Sequence, residues 1–154
     1  MTYTIRKGTL ENFKSCTTAL INSELGKQYF HCWEKAESAL VEGFEKEEIY
    51  VALNEDNTCL GFIWFIFKGA FHSYPYLHII AVREEYRRMG IGKGLLKFFE
   101  DQVFKAADKA FLVVADFNPE AKKLYVSLGY KQVGEIPGLY KNGVTEYIMM
   151  KERS

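Results

Sequence analysis

Charge of one sign is missing from this sequence: lysine and arginine number 20, and aspartate and glutamate number 20. No net field therefore draws in nucleic acid or an anionic membrane, although a local basic patch is compatible with that balance. Cysteine is scarce: Cys16, Cys32 and Cys59 are odd in number and far apart. No C-x-x-C or histidine-flanked spacing offers a zinc site, so no metal is expected. All three read as buried, reduced thiols of a cytoplasmic protein. Long hydrophobic runs are also missing. The most apolar stretch, residues 60–67, is far too short to span a bilayer and reads as a buried strand. The amino-terminal residues carry no basic stretch followed by an apolar one, so no secretion leader is expected. Repeats, low-complexity segments and linkers are absent as well.

What is present fits a single domain over residues 1–154, long enough to bury a core without staples. Aromatics are abundant at 16%, many of them in the first half of the chain. Residues 2–6 alternate as a strand, and Thr9 is placed to cap a helix that Gly26 ends. A second amphipathic helix carries Phe30, Trp33, Ala36, Leu40, Val41 and Phe44 inward. Strands at 49–53 and 59–67 flank the turn Asn54-Glu55-Asp56-Asn57, and residues 68–75 break the pattern. A strand at 76–82 follows, then a glycine-rich run and a helix with Leu95, Leu96, Phe99, Val103 and Phe104 inward. A strand at 111–115, a helix from Pro119 to Gly129, and closing strands at 130–136 and 146–151 complete the order. The class is α/β (α+β), built on a mixed sheet.

The run Arg87-Arg88-Met89-Gly90-Ile91-Gly92-Lys93-Gly94 lies between a buried strand and a helix. Helix N-termini leave backbone N–H groups unpaired and carry the positive end of the macrodipole. Glycines let a phosphate approach those groups, and Arg87, Arg88 and Lys93 add charge. Chemically the run is an anion cradle. It lacks the Gly-Lys-Ser/Thr ending of a Walker loop, and its third glycine falls one residue early for a dinucleotide fingerprint. Taken alone, a glycine-rich turn with solvated basic residues is an equal reading.

R-x-x-G-x-G at 87–92 closely resembles motif A of the GNAT acetyltransferases, and Ile80-Ala81-Val82 resembles the strand end that precedes it. Downstream, Asn118-Pro119-Glu120-Ala121, Tyr125 and Leu128-Gly129-Tyr130 resemble motif B, N-x-x-A-x-x-x-Y-x-x-x-G-F/Y. The inferred order of elements is similar to that family's fold over nearly the whole chain. The resemblance implies a mostly antiparallel sheet of about six or seven strands, about four flanking helices, and a split between the fourth and fifth strands. It implies an N-acetyltransferase moving an acetyl group from acetyl-CoA to a primary amine by direct attack in a ternary complex. Backbone groups of Ile80, Ala81 and Val82 would pair with the pantetheine arm. The segment Arg87, Arg88, Met89, Gly90, Ile91, Gly92 and Lys93 would hold the pyrophosphate, and Asn118 would touch the cofactor or cap the helix at Pro119. Tyr125 would stabilise or protonate the departing thiolate, unless it is simply core with Leu124 and Leu128.

The base is less defined. Some family members use a glutamate just before the motif-B asparagine, where this chain has Val113 and Val114. His78 shares a strand face with Tyr76, Ile80 and Val82, and the run 76–82 resembles the arylalkylamine N-acetyltransferases. A buried structural histidine is the competing reading, and Asp116 or a water relay the alternative base. The resemblance places the acceptor among Tyr29, Phe30, His31, Trp33, Glu34 and Glu37 of the early helices, with Pro137, Leu139 and Tyr140 of the last loop. A small amine, a peptide N-terminus and a lysine side chain all remain open as acceptors, as does a homodimer. Nucleic acid and membrane are not expected partners. A fold that binds acyl-CoA without turnover, as a sensor or interaction domain, is the alternative function.

Overall fold

The computed structural model describes residues 2–154. Its strands are β1 (Tyr3–Lys7), β2 (Ile49–Asn54), β3 (Cys59–Ala70), β4 (Tyr74–Val82), β5 (Lys109–Ala115), β6 (Lys131–Pro137) and β7 (Thr145–Glu152). The helices are α1 (Phe13–Ile21), α2 (Glu24–Tyr29), α3 (Trp33–Glu45), α4 (Ile91–Val103) and α5 (Pro119–Ser127). One-turn 3-10 helices occupy Leu10–Asn12 and Glu84–Tyr86. The sheet has seven strands in the order β1-β2-β3-β4-β5-β7-β6. The β1–β2, β2–β3, β5–β7 and β6–β7 pairs are antiparallel, whereas β4 and β5 run parallel. Parallel pairing stops after Tyr76↔Phe111 and Leu77↔Leu112, although β4 continues to Val82 and β5 to Ala115. That is the expected split between the fourth and fifth strands.

The chain divides into two compact units, one built from the described residues up to Phe65 with Ile79–Phe99, the other from Ile66–His78 with Glu100–Ser154. In the first, β2 and β3 are buried on both faces. One face receives α3, packed so closely at Gly43 that a Cβ there would press on the Ile49 and Trp64 side chains. The other receives α4, with Phe99 edge-on to Phe65 at 5.0 Å and Phe98 against Tyr50 at 4.9 Å. Near-continuous apolar runs in β2 and β3 follow from this double cover. In the second unit, α5 lies over the face of β7 that carries Tyr147, where the Lys122 ammonium sits 3.9 Å from the ring centre.

Four sequence expectations change. The first helix is interrupted, giving five α-helices rather than four: α1 stops at Ile21, and Ser23 starts α2 by accepting the Gly26 N–H at 3.0 Å. Gly26 therefore sits inside a helix instead of ending one, because a Cβ there would strike the Leu20 backbone carbonyl. Gly26→Ala is expected to destabilise the fold by about 1–3 kcal/mol, as overpacking does, despite alanine's better helix propensity. Urea denaturation checks this, and unchanged stability would contradict the close approach. Second, the break at 68–75 shrinks to a tight connection: β3 runs on to Ala70, and Phe71 and His72 both take φ of 56°. Third, Cys32 is exposed at the start of α3, while Cys16 and Cys59 are buried as expected. Fourth, Val41 is exposed rather than inward.

Candidate active site

β4 alternates cleanly. Pro75, Leu77, Ile79 and Ala81 are buried; Tyr76, Ile80 and Val82 are half-buried and His78 is exposed. The strand period puts those last four on one face, as the sequence implies, and His78 is not a core residue. Its ring lies 6.0 Å from that of Tyr76. On the β3 side, Gly61 admits the Ala81 carbonyl so closely that a Cβ would clash, and the Arg83 N–H closes the ladder on Leu60 at 2.8 Å.

Past β4, the three glycines serve different ends. Gly90 has φ of +82°, a conformation that favours glycine, and a Cβ there would meet nothing within 4 Å. At Gly92 a Cβ would have only Val82 Cγ2 near it, at 3.8 Å, so protein packing does not demand glycine. Gly94 is different: a Cβ would collide with the Tyr3 hydroxyl. The first helical bond of α4 runs from the Gly94 N–H to the Gly90 carbonyl at 3.0 Å, which leaves the Ile91, Gly92 and Lys93 N–H groups ahead of it. Arg88 has φ of 65° and, like Met89 and Lys93, is exposed; the Ile91 side chain is core. An open cradle of amides beside basic side chains fits an anionic group such as a pyrophosphate.

Arg87 has a structural task. Its Nε donates to the Val82 carbonyl at 3.1 Å and its Nη2 to the Asn22 carbonyl at 2.9 Å. Asn22 is the C-cap of α1, so a guanidinium at that negative helix end ties α1 to the end of β4.

Tyr125 lies on α5 and is 7% exposed. Its ring meets Tyr130 edge-on at 5.9 Å. The Tyr130 hydroxyl donates to Glu100 at 3.0 Å, and Glu100 also receives Lys151 Nζ at 2.7 Å. Motif B thus sets Tyr125 against a tyrosine fixed by a half-buried ion pair. Burial pushes the Tyr125 phenol up to about 12. Burial, then the charge and hydrogen bond of Glu100, raises Tyr130 as well. Both shifts favour the neutral phenol in the fold, so their contribution is intact below the ordinary tyrosine pKa near 10 and lost as pH rises through the folded values. Alkaline titration followed by circular dichroism is expected to show stability falling from about pH 10 upward, with Tyr125→Phe showing a shallower fall. A flat profile to pH 12 would contradict this.

Asn118 caps α5, its side chain accepting the Ala121 N–H at 3.4 Å. Asp116 is committed to the β5–β7 junction: its N–H donates to the Thr145 carbonyl at 2.9 Å and its Oδ2 accepts the Thr145 N–H at 3.1 Å. Of the early-helix acceptor candidates, Tyr29, Phe30 and Glu34 line an open cleft of about 480 Å³, with Lys35, Ser38 and Ala39. His31 and Glu37 are exposed and Trp33 is half-buried. Pro137, Leu139 and Tyr140 are exposed on the β6–β7 side. Among the described residues, no group of histidine, cysteine and carboxylate side chains is arranged to hold a metal ion, and no helix is long and apolar enough to cross a membrane.

A model described as the acetyltransferase (GNAT) family matches residues 18–130. The chain belongs to this family. An N-alpha-acetyltransferase of Saccharolobus solfataricus is 32% identical over 107 residues, covering 62% of this chain and 64% of the relative. An N-alpha-acetyltransferase of Sulfurisphaera tokodaii is 38% identical over 72 residues, 46% of this chain and 43% of the relative. An uncharacterized N-acetyltransferase of Methanocaldococcus jannaschii is 35% identical over 80 residues, 49% and 51% respectively. The chain spans about half the length of the last two. Among solved structures, Ard1 from Thermoplasma volcanium aligns with a TM-score of 0.81 at 21% identity, over 100% of this chain and 99% of that one. A GNAT family acetyltransferase from Bacillus cereus gives 0.79 at 18% identity, with 100% and 99% coverage. At such identities the likeness establishes the GNAT fold, which the split sheet shares.

Proposed function

We propose that the chain works as one N-acetyltransferase domain that moves an acetyl group from acetyl-CoA to a primary amine by direct attack in a ternary complex. The observation that carries this reading is the open amide cradle at Gly90 and Gly92, where packing within the chain leaves room for a Cβ. N–H groups from Arg88 to Lys93 would hold the pyrophosphate, with the Arg88 and Lys93 charges beside it, while Arg87 holds the strand end in place. Backbone groups of Ile80, Ala81 and Val82 would pair with the pantetheine arm, and the Val82 amide would polarise the thioester carbonyl. Acetyl-CoA supplies the activated acyl group.

The Tyr125 role sharpens on acidity. A phenol pushed up to about 12 is a weaker acid than a thiol near 8.5, so complete proton transfer to a thiolate is uphill. Donating a hydrogen bond to the sulfur as charge develops is the role it can fill, and it remains a donor throughout the neutral range. His78, exposed on the open face of β4, is the candidate to take the proton from the amine. The names of the two archaeal N-alpha-acetyltransferases support a peptide α-amine as acceptor. Chemistry agrees: an α-ammonium with pKa near 8 supplies far more neutral amine at pH 7 than a lysine near 10.4.

The test pairs binding with release. Acetyl-CoA, but not ATP or NAD, is expected to raise the melting temperature, and a panel of amines including short peptides with free N-termini is expected to yield free CoA thiol. Stabilisation without thiol release from any amine would favour the non-catalytic acyl-CoA-binding reading.

A further inference from the structure

Glu146 is the one acidic side chain among the described residues that is fully buried, at 2% exposure. It stands on β7 opposite Ala115 of β5 and Ile136 of β6. The strand period turns it to the face opposite Tyr147, which lies under Lys122 of α5. The same alternation and register, carried through β5, put Tyr76 and His78 of β4 on the Glu146 face: Tyr76 pairs with Phe111, which shares a face with Ala115. Tyr140, from the loop joining β6 and β7, reaches this group, its side chain hydrogen-bonded to that of Tyr76. Burial, the Tyr140 interaction and the Glu146 charge all push the Tyr76 phenol up. All four residues lie in the second unit.

A carboxyl group buried in a strand face favours hydrogen-bond donors and positive charge beside it. Two phenols beside it provide hydroxyl groups and ring faces, the surroundings that suit an ammonium with three N–H donors and an alkyl stem. His78 and Tyr140 are exposed, so the group opens to solvent at its rim while its carboxylate stays dry. Glu34, in the cleft between α2 and α3, is exposed and would hold a cation far less tightly.

We propose that Glu146, flanked by Tyr76 and Tyr140, is the subsite that receives the ammonium of the amine acceptor. This inference rests on the N-acetyltransferase reading above and adds the residue that selects a cationic amine. The test titrates the CoA-loaded protein by calorimetry with a short peptide bearing a free N-terminus, and with the same peptide N-acetylated. Wild type is expected to prefer the free amine at least about tenfold, and Glu146→Gln to lose that preference while keeping its affinity for CoA. Glu146→Asp, which keeps the charge, is expected to retain part of the preference, and it carries the test if the glutamine variant fails to fold. A preference surviving in Glu146→Gln, or absent from wild type, overturns the proposal. Amine preference in wild type without thiol release from acetyl-CoA would instead sink the transfer reading and leave the ammonium subsite standing.

Discussion

Gly92→Ala is expected to make the protein more stable and a poorer binder of acetyl-CoA. Alanine is favoured over glycine in a helix by up to about 1 kcal/mol, and Gly92 lies in the first turn of α4. A Cβ there would make only an ordinary contact, with Val82 Cγ2 at 3.8 Å, so nothing in the chain opposes the change. For a protein of this size the gain is worth about 2–4 °C in melting temperature. The same methyl group would stand where a pyrophosphate must meet the helix amides. Affinity for acetyl-CoA is expected to fall at least tenfold, about 1.4 kcal/mol. Gly94→Ala provides the contrast two residues along, since its Cβ meets Tyr3 rather than open ground and stability is expected to drop. Calorimetry and thermal melts on the pair decide the matter. Undiminished acetyl-CoA affinity in Gly92→Ala would remove the cradle from the account.

Tyr125→Phe is expected to slow acetyl transfer by about 10²–10⁴-fold with acetyl-CoA affinity nearly unchanged, the range set by losing a group positioned on the leaving atom. The ring contact with Tyr130 at 5.9 Å survives the substitution, so the helix and its Tyr130–Glu100–Lys151 anchor stay in place. A hydroxyl acting only in the transition state lowers kcat and kcat/KM together. Equal kcat in the variant would return Tyr125 to the core. Loss through KM alone would assign it to binding instead.

What the sequence made legible is what depends on local pattern. β4 announces its two faces by alternation, the 87–94 run announces a helix N-terminus through its glycines, and Pro119 announces the start of α5. His78 was open between core and surface, and the burial of its neighbours in alternation settles it as exposed. Features that depend on distant neighbours stayed hidden. Glu146 is a single glutamate in a strand, and its register partner Ala115 lies in β5, with α5 and β6 between them along the chain. Arg87 announced positive charge beside the glycines, whereas its bonds to the carbonyls of Val82 and of Asn22, 65 residues away, are visible only in the fold. The tight β3–β4 connection is built on Phe71 and His72 with positive φ, residues that give no turn signal. The division of α1 from α2 turns on the Ser23 cap and on the closeness of Gly26 to the Leu20 carbonyl, a contact that only the folded chain reveals.

The proposed reaction takes an acyl group from CoA to an amine. Its most direct test is mass spectrometry of a free-N-terminus peptide incubated with the protein and acetyl-CoA, with CoA thiol measured in the same sample. Acetyl-peptide, modified at its α-amine, is expected to appear in equal amount with CoA thiol. Bound acetyl-CoA with the peptide and every other amine offered left unmodified would contradict the account.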